Sequence, residues 1–292
     1  MAALTLNDLS PYIRRALDSV IYTPWILKER VIFDYELLFI KEGEVLITVE
    51  NERYEGRAGD IFLFKPGQRH SIRITGGQRF YQPHLHFDLI YRPDSPEVLI
   101  SFSPLEQIPS EQRHWFRQDL LSSGPMALPN KLEVRNKAHF ERMLFEIIEE
   151  YQLKGPYGEL VVKGLFLKLL AYLLREEYQL RNPVEPHSMA EMDQVREYLL
   201  DCLDREVQLD ELALRFNRSK FDLSKLYVKA FGIPPIRYHR LMRMEKIKEY
   251  IQYTNQPFAA IAERFGFSSI HAFSRAFRNR EGVAPSYYRR QT

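Results

Sequence analysis

In the first third of the chain, short runs of β-branched and aromatic residues alternate with residues that favour turns. The runs span residues 35–40, 45–49, 61–64 and 71–74. Turn residues at 65–67 (Lys-Pro-Gly) and 75–77 (Thr-Gly-Gly) follow two of these runs, as expected for consecutive short strands. Residues 83–91 alternate polar and apolar side chains, which predicts a strand with one polar and one apolar face. Together these patterns predict a small barrel or sandwich over about residues 20–92.

From about residue 137 the apolar residues adopt the spacing of helices. Residues 140, 143, 144, 147, 148 and 151 fall on one helical face, and Gly155-Pro156 ends this predicted helix. A second helix is predicted over about residues 157–180, where the sequence LVVKGLFLKLLAYLL is apolar nearly all round. Such a helix is buried on more than one side. The second buried side of this helix would pack either against another copy of the chain in a dimer or against the barrel of the same chain.

A polar stretch with two prolines, at residues 181–188, follows these helices. Proline restricts its own backbone and that of the preceding residue, so we expect a stiff, extended linker here. At roughly 150 residues per domain, the chain has room for two domains. The sequence predicts an N-terminal domain over residues 1–182 with helices at about 136–181, a linker at 183–190, and a C-terminal domain over 191–292.

The C-terminal domain contains an internal repeat of two helical units. Residues 209–216 and 258–265 each place Leu/Ile-Ala and Arg-Phe at the same offsets. The segments after them match at a spacing of fifty residues, with Leu223 equivalent to Phe273 and Tyr227 equivalent to Phe277. Each unit therefore predicts a first helix, a short turn and a second helix, the order of a helix-turn-helix motif.

We expect the second helix of each unit, at about residues 220–230 and 269–280, to lie in the major groove of DNA. Ser219 and Ser268 are placed to accept hydrogen bonds as N-caps of these helices. One face of each helix is apolar, and the other carries basic and hydrogen-bonding residues. The outer residues are Phe221, Ser224, Lys225 and Lys229 in the first helix, and His271, Ser274, Arg275 and Arg278 in the second. A spacer helix over about residues 236–250 would hold the two recognition helices about 34 Å apart, one turn of DNA.

The distribution of charge agrees with a polyanionic partner for this domain. The chain has 292 residues and a formal net charge of +2. Residues 215–292 carry a net charge of +11, whereas residues 1–214 carry −9. A basic C-terminal block attached to an acidic body indicates binding to nucleic acid.

Composition excludes several other classes of protein. Hydrophobic residues make up 45% of the chain and charged residues 27%, values typical of a folded globular protein. The sequence has no apolar run of about 18 residues, and its N-terminus lacks the basic and apolar segments of a signal peptide. A single cysteine, Cys202, cannot form an internal disulfide or a cysteine-rich zinc site. We therefore expect a cytoplasmic protein with no membrane partner.

Residues from about 192 to 290 resemble the AraC/XylS family of bacterial transcription regulators. The resemblance rests on the repeat and on the signature GF-x-S…F-S-R-A-F-R-x-x-x-G-x-A-P-S-x-Y-R, present here at residues 266–289. It covers about a third of the chain and implies two helix-turn-helix subdomains that bind promoter DNA sequence-specifically. The residues that it implies contact bases are Phe221, Ser224 and Lys225 in the first unit, and Ile270, His271, Ser274 and Arg275 in the second.

Residues 59–70, GDIFLFKPGQRH, resemble the second conserved motif of cupin barrels, which is also common in the sensor domains of sugar-responsive AraC relatives. The resemblance implies a barrel that holds a small ligand, often a sugar, and following helices that dimerise. The predicted fold class is α+β with two domains: an N-terminal cupin-like β-barrel with following helices, and a C-terminal all-α double helix-turn-helix domain. Seven residues are candidates for the ligand pocket because they supply aromatic platforms or hydrogen-bonding groups: Trp25, Tyr35, Arg69, His70, Tyr81, His84 and His86.

Metal ions and cofactors are not expected in this barrel. Metal cupins supply three histidines and a glutamate from two motifs, whereas residues 35–44 of this chain contain no histidine. His84 and His86 form an H-x-H on one strand face, and with His70 they could supply three nitrogen ligands. The alternative, that these histidines line a polar pocket or cap the barrel mouth, requires no metal.

The patterns as a whole predict a DNA-binding transcription regulator that responds to a small molecule, a sugar above all, in its barrel. Its partners would be promoter DNA, the effector, a second copy of the chain and RNA polymerase. Two alternatives stay open: a ligand-independent regulator with an architectural barrel, and a metal-dependent cupin enzyme with a DNA-binding appendage. The sequence has no G-x-S-x-G, Walker or H-E-x-x-H motif, which argues against the enzyme.

Overall fold

The computed structural model describes residues 6–289, and the chain divides into two compact units between Leu180 and Arg181. The parts of the predicted domains at residues 1–5 and 290–292 lie outside the described residues. The first unit is built mainly of strands and the second of helices, which confirms the predicted α+β class.

The N-terminal unit is an antiparallel sheet of eight strands bent into a nearly closed barrel. The strands are β1 (Tyr12–Tyr22), β2 (Ile26–Arg30), β3 (Tyr35–Phe39), β4 (Glu42–Val49), β5 (Glu52–Arg57), β6 (Ile61–Phe64), β7 (His70–Asp88) and β8 (Lys131–Leu132). Their order is β5-β4-β7-β3-β6-β8, with β1 and β2 also paired to β7. The 19-residue β7 therefore pairs with four strands and holds the sheet together. The barrel starts earlier than predicted, since β1 begins well before residue 20.

Side chains alternate between the two faces of the sheet, as a period of two requires. On β3, Leu38 packs inside the barrel, whereas Leu37 packs on the outer face. On β7, Leu85 and Phe87 lie in the same outer cluster as Leu37. The predicted alternation of residues 83–91 is thereby confirmed.

Two helices cover the outer face of the sheet: α1 (Lys137–Leu153) and α2 (Gly158–Arg181). Their bounds lie within a few residues of the predicted ones. Phe166 of α2 packs against Phe87 of β7, with ring centroids 4.4 Å apart. The segment between β7 and β8, to which the sequence assigned no structure, is largely irregular, and its buried Leu121 and Leu128 join the same core.

The turn predicted at residues 75–77 is wrong, because these residues lie inside β7. Glu44 pairs with Gly76 and Val45 pairs with Ile74, so the residue between those two β7 partners is the extra residue of a β-bulge. A bulge bends a strand without ending it. The glycines that suggested a turn therefore mark the place where β7 curves to close the barrel.

The C-terminal unit is entirely helical in its described elements. Its helices are α3 (Pro186–Asp201), α4 (Leu209–Arg215), α5 (Lys220–Phe231), α6 (Pro235–Tyr253), α7 (Phe258–Arg264), α8 (Ile270–Glu281) and α9 (Pro285–Arg289). The pairs α4-α5 and α7-α8 are the two predicted helix-turn-helix units. The linker predicted at residues 183–190 is shorter in the structure, because α3 already begins at Pro186. Proline in the first helical turn loses no hydrogen bond, since the N–H there has no helical partner.

Each helix-turn-helix unit has its own apolar core. The first core contains Met192, Val195, Leu199, Val207, Leu212, Leu223 and Tyr227, and the second contains Met244, Ile247, Ile251, Ile261, Phe265, Phe273 and Phe277. Helix α6 contributes to both, with Ile236 and Tyr238 packed on the first and Ile247 and Ile251 buried in the second. A helix of 19 residues is about 28 Å long. The separation of about 34 Å between recognition helices stays a prediction.

A serine caps each recognition helix. Ser219 accepts a hydrogen bond from the backbone N–H of Asp222 at 3.0 Å, as predicted, and its hydroxyl donates to the Asp222 carboxylate at 2.7 Å. In the second unit the cap is Ser269, which accepts from the N–H of Ala272 at 3.1 Å, so the prediction of Ser268 is wrong. The first helices of the two units align at a spacing of 49 residues and the second helices at 50. The second turn is therefore one residue longer, and the cap moves with its helix.

Candidate nucleic-acid interface and sensor site

The outer face of α5 presents an aromatic and basic surface to solvent. Phe221, Ser224 and Lys225 follow one another at i, i+3 and i+4, so they share a face of the helix, and Lys229 continues it by one turn. Phe221 is 73% exposed, and the Lys225 ammonium lies 5.9 Å from the centre of its ring. A large apolar ring left in water beside a cation favours a partner surface that is both apolar and anionic.

Helix α8 presents a matching surface in the second unit. Its outer residues are Ile270, His271, Ser274, Arg275 and Arg278. All of these except the half-buried Ser274 are exposed, while the opposite face of α8 buries Phe273 and Phe277 completely. Two aromatic side chains therefore anchor α8 in the apolar core of the second unit, and its cationic side is exposed to solvent.

Two buried polar side chains in the middle of α6 connect it to both units, and the sequence did not single them out. His239 lies between the carbonyl oxygens of Leu199 and Arg205, each 3.0 Å from one ring nitrogen. Arg243 donates to the carbonyl of Phe265, at the end of α7. These contacts hold α6 against both helix-turn-helix units.

Four of the seven pocket candidates lie at the interior of the barrel. They are Trp25, His70, His84 and His86. Trp25 is half-buried and packs near Phe80, with ring centroids 6.4 Å apart, and the three histidines are buried. An aromatic platform thus lies in the same barrel as a group of hydrogen-bonding rings.

The other three candidates are placed elsewhere. Tyr35 lies on the outer face of β3, stacks on Phe87 and donates its hydroxyl hydrogen bond to the Gln118 carbonyl at 3.1 Å. Arg69 forms surface ion pairs with glutamates, and Tyr81 follows the inward-facing Phe80 on β7 and so faces outward beneath Lys41. A one-residue step along a strand reverses the face, so Tyr35 and Tyr81, each next to an inward-facing residue, point away from the barrel interior.

A network of buried charges surrounds the histidines, and the sequence did not single out its members. Arg30 lies with Nη2 2.5 Å from Glu36 Oε2 and donates through Nε to His70 Nε2 at 2.9 Å. Glu36 shares the inward face of β3 with Leu38, so its position followed from the period of two. A charged residue at an inward position is the signal that could have identified it.

The network continues along the barrel through a second set of ion pairs. His86 Nδ1 donates to Asp34 Oδ1 at 3.2 Å, and Arg14 joins Asp34 to Asp88 at 2.9 and 2.8 Å. Arg117 then donates to the other oxygen of Asp88 at 3.0 Å. Opposite charges therefore alternate along this network, and each arginine and each carboxylate in it has a partner of opposite sign.

Burial and the nearby charges set the protonation of the interior groups. Burial by itself would raise the pKa of Glu36, but the positive charge of Arg30 and the surrounding imidazoles outweigh it and lower that pKa to about 2. Burial, helped by Arg30, lowers the pKa of His70 to about 4, and burial also lowers the pKa of His84. At neutral pH the interior therefore offers a carboxylate and two neutral imidazoles, which can bind a polar ligand.

Helix α2 carries a stripe of exposed apolar or small residues on its outer side. Leu160, Gly164, Leu167 and Ala171 are exposed and recur at alternating intervals of four and three residues. That spacing is the one with which two helices pack in a coiled coil. None of the helices in residues 6–289 has the length and apolar character needed to cross a bilayer.

Two family models match the chain. An AraC-like ligand binding domain matches residues 22–170, and a helix-turn-helix domain matches residues 212–291. The first match covers just over half of the chain. The chain belongs to the AraC family of transcription regulators.

Regulatory proteins from several bacteria are similar to this chain along most of its length. The uncharacterized HTH-type transcriptional regulator YisR of Bacillus subtilis is 24% identical over 262 residues, which cover 90% of this chain and 88% of that protein. The Msm operon regulatory protein of Streptococcus mutans is 27% identical over 88% of this chain and 84% of its own length. The arabinose operon regulatory protein of Salmonella typhimurium is 26% identical, with 87% and 83% covered. Among solved structures, the C-terminal domain of AraT from Geobacillus stearothermophilus is 32% identical with a TM-score of 0.34, and 38% of this chain and 88% of that one are covered.

Membership of the AraC family gives the two surfaces their roles. This AraC-family protein is a DNA-binding transcription regulator with a ligand-binding barrel. The exposed faces of α5 and α8 therefore belong to the DNA-binding domain, and the polar interior belongs to the ligand-binding domain.

Proposed function

We propose that this AraC-family regulator senses a sugar-like polyol in its barrel and alters promoter binding when that ligand is present. The observation that carries the proposal is the group of buried imidazoles in the same barrel as the half-buried Trp25. Sugars have an apolar ring face that packs on aromatic rings and hydroxyls that both donate and accept hydrogen bonds. Neutral His84 suits such a ligand because its Nδ1 is held by the Gln82 carbonyl and its Nε2 can accept a hydrogen bond from a sugar hydroxyl. Relatives named for arabinose operons support the sugar class.

The test is a thermal-stability screen of the full chain against pentoses, hexoses and their acids. A ligand at about 100 times its Kd stabilises the folded state by about 2.7 kcal/mol through mass action. We expect one sugar class to raise the Tm of the wild-type chain and to change its affinity for promoter DNA. The His84→Gln variant should lose the shift, and the control His114→Gln, on an exposed segment, should keep it. A chain that no sugar stabilises would instead support a ligand-independent regulator.

We also propose that α5 and α8 read bases in adjacent major grooves. Lys225 and Arg275 would donate to guanine, and Phe221 and Ile270 would pack on thymine methyl groups. Lys229 and Arg278 lie one turn further along each helix and would contact phosphate. The exposure of these side chains, apart from the half-buried Lys229, and the net charge of the C-terminal block support this assignment.

Replacing Arg275 with alanine is expected to lower specific DNA affinity by about 1–3 kcal/mol, or about 5- to 150-fold, and to relax the preference at one base pair. The matched control is Arg280→Ala on the same helix. Arg280 is five residues further on, about 140° around α8, and should have little effect on base preference. Competition binding with matched and mismatched sites measures both. If Arg275→Ala weakened binding to all sites equally, Arg275 would be a phosphate contact.

We further propose that the protein acts as a homodimer through the α2 stripe, and that it works by binding rather than catalysis. The stripe of Leu160, Gly164, Leu167 and Ala171 supports the dimer, since its small residues allow two helices to approach closely. RNA polymerase would be a further partner at an activated promoter. Because bacterial promoters lie in the cytoplasm, we propose that compartment.

Replacing Leu167 with glutamate is expected to weaken dimerisation more than about tenfold, because a buried carboxylate at the stripe would lack a partner. The control is Lys168→Glu, an exposed neighbour outside the stripe, which should leave the dimer intact. Sedimentation equilibrium of both variants measures the association. Equal dimerisation of Leu167→Glu and wild type would place the interface elsewhere.

A further inference from the structure

Three ligand-type side chains converge inside the barrel. Glu36, His84 and His86 each offer one ligand atom, and these atoms all lie within 4.8 Å of one another. Glu36 pairs across the sheet with His86, and Leu38 pairs with His84, so the three ligand residues project from neighbouring positions of β3 and β7. We propose that Glu36, His84 and His86 hold one divalent transition-metal ion.

The hydrogen bonds of the two histidine rings fix which nitrogen faces the carboxylate. His84 Nδ1 lies 2.9 Å from the carbonyl oxygen of Gln82, and His86 Nδ1 lies 3.2 Å from Asp34 Oδ1. A carbonyl and a carboxylate oxygen can only accept, so both Nδ1 atoms carry the proton and donate. Nε2 is then the nitrogen of each ring that is available to ligate a metal. Metal-binding histidines are oriented in the same way, by a carbonyl or carboxylate on the other nitrogen.

A gap separates the ligand atoms across the site. His86 Nε2 lies 3.7 Å from Glu36 Oε2, which is longer than a hydrogen bond, and an ion placed between the two atoms would contact both. Ligand bonds of about 2.0–2.2 Å to nitrogen and oxygen would bring the three atoms slightly closer than they are now.

His70 is excluded from this ligand set although it is close. Its Nε2 already accepts a hydrogen bond from Arg30 Nε at 2.9 Å, so its lone pair is used. Arg30 also donates to Glu36 Oε2, but each carboxylate oxygen has two lone pairs, so Oε2 can accept from Arg30 and still ligate, and Oε1 is a second ligand atom. The rival arrangement is that the Arg30 guanidinium alone neutralises Glu36 and no ion enters. The two arrangements differ in a single measurable quantity, the metal content of the chain.

The donor set indicates the class of ion. Two imidazoles and one carboxylate favour borderline ions such as Zn²⁺, Co²⁺ and Ni²⁺ over Mg²⁺ or Ca²⁺, which prefer all-oxygen sites. Three protein ligands leave a position open for water or another small molecule. The proposal goes beyond the sugar-like effector and does not depend on it, because metal uptake is measured without any sugar.

The first experiment uses the untagged full-length chain, stripped with a chelator and titrated with Zn²⁺ and then, separately, with Co²⁺. We expect one ion per chain by calorimetry and by elemental analysis after desalting. Co²⁺ should give the intense visible absorption of a four- or five-coordinate site rather than the weak bands of the hydrated ion. A wild-type chain that takes up no stoichiometric Zn²⁺ overturns the proposal.

The second experiment assigns the ligands. Loss of an outer-shell partner alone lowers metal affinity about 10- to 100-fold, so Glu36→Gln, His84→Gln and His86→Gln should each lower it by at least about 100-fold. His114→Gln, on an exposed segment, controls for adventitious surface binding and should bind as wild type does. His70→Gln should also bind the metal as wild type does. If the ligands were instead His70, His84 and His86, this variant would lose it. Uptake that survives in all three ligand variants contradicts the site.

Buried substitutions can unfold the barrel, so the variants need a check on folding. Both tryptophans of the chain, Trp25 and Trp115, lie in the N-terminal unit and report its folding by fluorescence. His84 makes one ring hydrogen bond, to a backbone carbonyl, and its variant is expected to stay folded. A folded His84→Gln chain that binds Zn²⁺ as tightly as wild type overturns the proposal even if the other variants do not fold.

Discussion

Replacing Asp88 with alanine is expected to lower the free energy of unfolding of the sensor barrel by about 3–5 kcal/mol, because the change leaves buried cations with too little negative charge. The Asp88 side chain is 1% exposed. It lies 2.8 Å from Arg14 Nη2 and 3.0 Å from Arg117 Nε, and it accepts from Ser95 Oγ at 2.7 Å. A charge that loses its partner in water is hydrated, but these two guanidinium groups are shielded from solvent.

Asp94 provides the matched control. It also binds Arg117, at 3.0 Å, but its side chain is 26% exposed. Water can replace it, so Asp94→Ala should cost about 1 kcal/mol or less. Urea unfolding followed by tryptophan fluorescence measures both variants in the full chain, because Trp25 and Trp115 both lie in the N-terminal unit. Similar small losses for the two aspartates would show that the interior charges are hydrated.

This network also shows what the sequence could not predict. Arg14 binds one carboxylate twenty positions away, Asp34, and a second one 74 positions away, Asp88. Such pairs depend on how distant segments meet in the sheet, as β1 and β7 do for Arg14 and Asp88, and no local pattern encodes this. Periodicity assigned Asp88 to the polar face of its strand correctly. It could not say that the polar face pointed into the barrel rather than to solvent.

Local patterns succeeded where the structure depends on local spacing. The alternation from His84 to Leu89 set the two faces of β7, and the repeat located α5 and α8 to within one or two residues. The turn predicted from Gly76-Gly77 was wrong, because glycine occurs both in turns and in β-bulges. Only the pairing with the neighbouring strand distinguishes the two structures. The same alternation could have predicted that Glu36 faces the barrel interior, since it shares a face with Leu38 on β3.

The exposed faces of α5 and α8 were predictable for a further reason. An amphipathic helix buries one face and exposes the other, so residues such as Phe273 and Arg275 separate by helical period alone. Tyr35 shows the opposite case in the barrel, where the pocket lies on one face of a sheet that is buried on both. Aromatic character there does not distinguish a ligand platform from a core residue.

Two phenylalanines of the DNA-binding domain should respond to the same substitution in opposite ways. Phe273 of α8 is fully buried and contacts Phe267 and Phe277, with ring centroids 5.3 and 6.2 Å apart. Phe273→Ala should cost about 3–5 kcal/mol, since it removes apolar contacts and leaves a cavity. Phe221 of α5 is 73% exposed, so Phe221→Ala should change stability by no more than about 0.5 kcal/mol.

DNA binding separates the two variants further. Phe273→Ala should reduce binding to that of the first unit alone, because α8 is no longer held in place. Phe221→Ala should lower affinity for specific sites at unchanged stability, since the exposed ring would pack on a thymine methyl group. Far-ultraviolet circular dichroism during urea unfolding reports the helical domain, while tryptophan fluorescence confirms that the barrel is unchanged. If the Phe273→Ala chain were as stable as wild type and bound DNA equally well, Phe273 would not be needed to position α8. If Phe221→Ala left the affinity for specific sites unchanged, Phe221 of α5 would not contact a base in the groove.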